Sequence, residues 1–355
     1  MYKGIAAIVR FFCVIRQPYR FLVLKDPGMT LRFHRPFLFL CLVALANFCS
    51  SLVSAEPAPD WAYPGMGSAS LSAGGWNTTE PLRVPGSSEI FTEAQIHSRS
   101  QVIDWFPDTH PPVPAFMKKA DDPSIWACAK CHMPSGSGRP ENAAVAGLPA
   151  DYIFAQVPAL MHGERKYPEA IDRPSTLMND ASRVLTTDQI KAAARYYASL
   201  RYRSYIDVIE TENVPALEEF GQVWFAIPGP PEPLGARIIE VPEDRDLFER
   251  RDPYGRYKAY VPKGSIKRGR ALAMKGAGDA TKFCATCNGN GLRGGADLPA
   301  PPLAGRFPAY LFRQLYGFRT GAHAGSNAEL MTAVVKDMTL DQMIDLAAYA
   351  ASLRP

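Results

Sequence analysis

Apolar residues recur at helical spacing in two places along this chain. Ile190, Ala193, Ala194 and Tyr197 line one face of a helix ahead of Leu200, and Met343, Leu346, Ala347 and Ala350 line the same face ahead of Leu353. Each segment opens with Thr and then Gln three residues on. Thr186 with Gln189, and Thr339 with Gln342, fit a capping box, in which each side chain satisfies a free backbone donor of the other. The sequence upstream repeats as well. Ala146-Gly147-Leu148-Pro149-Ala150-Asp151-Tyr152, then Gln156 and Gly163, matches Ala304-Gly305-Arg306-Phe307-Pro308-Ala309-Tyr310, then Gln314 and Gly321. Met178 aligns with Met331 after a short deletion. Such self-similarity is the mark of a duplicated unit. Ser265 caps a further predicted helix from 266 towards 274. In the first unit Pro111, Pro112, Pro114 and Pro123 leave room only for a short leading helix before Ser124-Ile125-Trp126.

These patterns divide the chain. Residues 115–203 and 264–355 are the two repeats. Between them, 204–263 is an irregular linker with β-like runs over 205–210, 222–227 and 236–241, punctuated by prolines. Residues 56–114 read as an extended Pro/Gly-rich arm anchored by Trp61, Trp76, Trp105 and Phe106. At the front, Arg32 and Arg35 precede an apolar run over 37–45, and Val53-Ser54-Ala55 precede Glu56. That order predicts a signal peptide within 1–55, with Met29 as an alternative start and an uncleaved anchor as the competing reading. Phe48 before Cys49 argues against a lipid anchor.

Export changes the charge and the cysteine count. The full chain carries +4, but seven basic and one acidic residue fall within 1–55, so the rest has 32 basic and 34 acidic side chains and a formal charge of −2. Nothing in that balance favours a nucleic-acid partner. Of seven cysteines, Cys13, Cys41 and Cys49 leave with the export segment. The other four form two C-x-x-C motifs, with none to spare for a disulfide framework.

The first motif, Cys128-Ala129-Lys130-Cys131-His132, is the attachment pattern of a c-type haem. Each thiol can add to a vinyl group, and the adjacent imidazole is placed to ligate iron. A redox dithiol would want a βαβ setting, and zinc would want two further nearby ligands. The second motif, Cys284-Ala285-Thr286-Cys287, ends in Asn288 where the first has His132.

With these motifs, the Ala-Gly…Tyr…Gln stretches and the Met ahead of each closing helix, the chain resembles the class I c-type cytochromes. Within them it is similar to tandem two-haem cytochromes of the bacterial periplasm. The resemblance covers both repeats, about half of the chain. It implies a mainly α fold of two small tandem helical domains, with haem c held by Cys128 and Cys131, His132 as proximal ligand and Met178 as distal ligand. In the second domain it implies Cys284, Cys287 and Met331, conditional on Asn288. A carboxamide is a poor iron ligand, and the apparatus that attaches haem is expected to read the His. The second unit is therefore a haem-free scaffold, or a haem with an open or unusual ligand, or an isolated change. Its retained cysteines, Met331, glycine-rich turn and helices favour retained haem. His323 reads as a surface residue with rescue ligation as the rival. Arg139 and Arg306 read as exposed unless they pair with haem carboxylates. Tyr152, Gln156, Tyr310 and Gln314 either bond those carboxylates or satisfy other buried groups.

The function implied is periplasmic electron transfer between a dehydrogenase donor and an oxidase or other acceptor, with peripheral association with a membrane complex as a further expectation. The alternatives are a peroxidase-like haem enzyme using an open second iron, and an electron-transfer subunit of a dehydrogenase or oxidase complex.

Overall fold

A computed structural model describes residues 57–64, 79–167, 173–275, 284–295, 300–325 and 328–355. The expected export segment and Trp76 lie outside the described residues. Along the chain, the arm supplies a short antiparallel pair, β1 (Pro81–Leu82) with β2 (Phe91–Thr92), and helix α1 (Glu93–His97). The first repeat supplies α2 (Ala115–Lys118), α3 (Cys128–His132), α4 (Ala150–Met161), α5 (Arg173–Arg183) and α6 (Thr187–Ser199). The linker follows with β3 (Ile206–Thr211), β4 (Asn213–Val214), β5 (Leu217–Phe220), β6 (Val223–Ala226), β7 (Glu232–Pro233), β8 (Ile239–Pro242), α7 (Arg245–Glu249) and β9 (Tyr257–Pro262). The second repeat supplies α8 (Ser265–Lys275), α9 (Cys284–Asn288), α10 (Pro308–Thr320), α11 (Ala328–Val335) and α12 (Leu340–Ser352). The architecture is mainly α. All the described residues belong to one compact unit, Glu56–Pro355.

The closing helices begin as the sequence predicts. Gln189 N–H donates to Thr186 Oγ1 at 3.2 Å while Thr186 N–H donates to Gln189 Oε1 at 2.8 Å. Thr339 and Gln342 repeat the exchange at 3.0 and 3.2 Å. The apolar face of α12 is then buried, Met343 completely, against Phe312 and Val335 in the main core. Where α8 crosses α12, a Cβ on Gly269 would stand 1.9 Å from the Asp345 carbonyl oxygen, so only glycine permits this approach. Arg268 clasps the Asp345 carboxylate beside the crossing, with two contacts of 2.8 Å.

The linker is a three-stranded sheet plus two small ribbons. Central β9 runs parallel to β3 and antiparallel to β8, and its alternation buries Tyr257, Ala259 and Val261 on one face. The arm lies over both repeats. Trp105 Nε1 donates to Arg250 O at 2.8 Å, and Lys130 Nζ inside α3 donates to Ile96 O at 2.7 Å. Farther forward, Trp61 packs on Phe312 with centroids 4.6 Å apart, and Arg313 donates to Ala62 O at 3.1 Å. Among the described residues no helix is long and apolar enough to cross a membrane.

Candidate functional site

The Cys128–His132 helix lasts little more than one turn because the chain turns sharply after it. Met133 stops it in a left-handed conformation at φ 64°, and Gly136 and Gly138 continue the reversal at φ 67° and 66°. A Cβ on Gly138 would lie 2.4 Å from Ala144 N, so the loop closes only on glycine. That closure carries the Ala143 carbonyl to His132, whose Nδ1 lies 2.8 Å from it. The carbonyl can only accept, which assigns the proton to Nδ1 and leaves the Nε2 lone pair free. Burial pushes the His132 pKa down and so favours the neutral imidazole a metal requires. Burial also pushes the Cys128 thiol up to about 11 and raises Cys131. Both sulfurs are therefore held as thiols in an apolar setting.

His132, Cys128 and Cys131 face a cavity of about 210 Å³, and Met178, half-buried on α5, lines the same space. Ile153, Val157 and Leu160 form an apolar wall from α4, with Ala193 and Tyr197 from α6. The Tyr197 ring meets the His132 ring edge-on, with centroids 6.2 Å apart. A flat apolar group attached through both thiols would have an imidazole and a thioether available in one enclosure.

One rim of the cavity is polar and draws on both repeats. Arg165 donates to Gln156 Oε1 at 2.8 Å, to Gln314 Oε1 at 2.6 Å and to the Tyr310 hydroxyl at 3.2 Å. All three acceptors are neutral, so this cation is suited to a carboxylate entering the cavity. Burial pushes the Tyr152 phenol up to about 12, which keeps it a donor. His323 lines the same rim from the second repeat, stacked on Phe318 with centroids 4.0 Å apart. It is 7% exposed, not the surface residue expected, and burial with Arg165 nearby lowers its pKa to about 2.

Arg139 and Arg306 are buried too, against expectation. Arg306 donates to the Pro302 and Ala146 carbonyls at 2.6 and 3.1 Å and stacks over Tyr202, while Arg139 lies over Phe248 and beside Glu141. Carbonyls and an aromatic face replace water around Arg306, and a carboxylate and an aromatic face do so around Arg139. The signal for Arg165 and His323 was present in the sequence. They occupy the same register of the repeat, two residues after the matched glycines Gly163 and Gly321.

The second motif has a different setting. Cys284 is half-buried, Cys287 is exposed, and Met331 packs against the main core. Asn288 is buried, and its Nδ2 donates to Pro301 O at 2.8 Å. That carbonyl stands where the first repeat has Ala143.

No family model matches the chain. It is 34% identical to cytochrome c-552 of Acidithiobacillus ferridurans over 94 residues, which are 26% of this chain and 39% of that protein. It is 32% identical to the thiosulfate dehydrogenase electron acceptor of Stutzerimonas stutzeri over 85 residues, 24% of this chain and 37% of the relative. Against cytochrome c-554(548) of Halomonas halodenitrificans, the identity is 33% over 74 residues, 21% of this chain and 88% of the relative. The chain thus spans well under half of the first two relatives and nearly the whole of the third.

Proposed function

The chain belongs to the c-type cytochromes, and from that premise we propose that it is an exported carrier whose working haem c is bound in the first repeat. Cys128 and Cys131 would hold the haem through thioethers, with His132 Nε2 and Met178 as axial ligands. The observation that carries this assignment is the His132–Ala143 hydrogen bond, in a cavity that also gathers both thiols and Met178. Bound there, the group supplies a one-electron Fe(III)/Fe(II) couple.

The protein's own part is to hold and shield. Ala143 fixes the tautomer and plane of the imidazole. The Met178 thioether, a soft donor, favours Fe(II) and so raises the potential. With His132 and Met178 both holding the iron, no position would remain there for a substrate, which would suit a carrier better than an enzyme. Arg165 and the Gln and Tyr side chains around it are suited to the haem carboxylates, and the α4 and α6 walls exclude water from the ring. The relative named as electron acceptor of a thiosulfate dehydrogenase supports a dehydrogenase as electron donor, with an oxidase or other acceptor downstream. Residues 1–55 would direct the chain to the periplasm, and the two repeats would be cytochrome-type domains joined by the linker.

The test is expression in a host that matures c-type cytochromes. The purified protein should show a reversible one-electron couple and a six-coordinate low-spin spectrum, with little CO binding when reduced. Colourless protein, or reduced protein that binds CO rapidly, overturns the reading.

A further inference from the structure

Resting on the haem assignment above, we infer that the second repeat holds no haem: its pocket is filled by its own side chains, and what it keeps is the duty of walling the first cavity. The argument starts from aligned positions. The register that pairs Met178 with Met331 sets Val334 and Val335 where the first cavity is lined by Ala181 and Ser182. The closing helices set Leu346 against Ala193, and α10 sets Phe318 against Leu160. Each replacement is larger, and all of them join the main core, with Val335 fully buried and Leu346 nearly so. In the first repeat Ala193 remains half-buried because it faces open space.

One change runs the other way. Tyr197 is matched by Ala350, but Leu292 enters the same core as Ala350. Hydrogen bonds fix the equivalence of Leu292 with Gly136, since Ala146 N–H donates to Gly136 O and Ala304 N–H donates to Leu292 O, both at 3.0 Å. Leu292 keeps the left-handed backbone, at φ 55°. A bulky residue adopts that conformation only at an energetic cost and persists only where packing holds it. Here the side chain is 3% exposed and packs into the core that holds Ala350. The residues present do not fit the group.

Asn288 fits the same conclusion. Its amide reproduces the tether that His132 makes, to the equivalent carbonyl at the same 2.8 Å, and so closes the loop without offering iron a nitrogen donor. The opposite face of α10 meanwhile turns outward, giving Tyr310, Gln314 and Gly317 to the first cavity, with His323 from the loop that follows.

The experiment is a haem count on the full chain, purified from a host that matures c-type cytochromes, by pyridine haemochrome, intact mass and peptide mapping. One haem per chain is expected, on the peptide holding Cys128 and Cys131, with the Cys284–Cys287 peptide carrying none. Two haems per chain overturn this inference and leave the carrier reading intact. A count of zero, or haem on the second peptide alone, overturns the carrier reading itself. Asn288→His separates a filled pocket from a merely missing ligand. Its folded, soluble fraction should still hold one haem, and a folded variant with two low-spin haems at undiminished melting temperature overturns the packing argument.

Discussion

Glu240 offers a direct test of how the linker supports the second repeat. It sits on β8, 3% exposed, and its Oε1 accepts from Ala309 N–H at 2.8 Å in the first turn of α10. Burial pushes its pKa up from 4.5 to about 7, although the Ala309 bond and Arg313 pull the other way. The folded state therefore holds this proton more tightly than the unfolded chain does. The resulting stability is complete below the unfolded value of 4.5 and is lost as pH rises through about 7. At 1.36 kcal/mol per unit, the loss across that window is about 3 kcal/mol. Glu240→Gln keeps the carbonyl acceptor for Ala309 and removes the ionisation. The variant should match the parent near the lower end of the window and exceed it by up to about 3 kcal/mol at the upper end, a few degrees in melting temperature. The assay is denaturant unfolding followed by far-UV circular dichroism at a series of pH values. Equal pH slopes for parent and variant, or a variant weaker at every pH, would refute the reasoning.

Three further outcomes follow from the geometry. Met178→Ala should open the sixth position of the first haem, giving rapid CO binding by difference spectroscopy and a potential lower by on the order of 100 mV, within the ~0.8 V that axial ligation spans; an unchanged spectrum would remove Met178 from the ligand set. Gly269→Ala places a methyl against the Asp345 carbonyl and should cost about 3 kcal/mol, read as a lower thermal midpoint. Thr339→Ala deletes the Oγ1 acceptor of the α12 capping box and should cost about 1 kcal/mol in denaturant unfolding, with Thr186→Ala behaving alike at α6. If neither Thr variant moves the midpoint, the boxes have no energetic weight.

The sequence was most informative where structure is local. Capping boxes, the α12 stripe and the leading helix from Ser265 depend on neighbours a few residues away, so periodicity and side-chain chemistry reveal them. The five-residue haem motif is local in the same sense. What escaped notice depends on distant partners. Arg165 meets Tyr310 and Gln314 across almost half of the chain, and Trp105 finds Arg250 in the linker, beyond the whole first repeat. No propensity encodes such pairs. Expecting Arg139, Arg306 and His323 at the surface applied an average to particular side chains, each of which had found an aromatic ring inside, with carbonyls beside Arg306 and a carboxylate beside Arg139. The contrast between the two pockets is an intermediate case. The substitutions Ala193/Leu346 and Gly136/Leu292 are visible in an alignment of the repeats, but their meaning depends on knowing which way each side chain turns.

The polar rim joined by Arg165 also bears on inheritance. A duplicated gene usually frees one copy to decay or be deleted, yet here the cavity of one half is walled by the flank of the other. Cutting the chain after the first closing helix would strip Tyr310, Gln314 and His323 from the rim and open that side to water. If the second repeat holds no haem, the wall it gives the first cavity is reason enough for the altered copy to be kept.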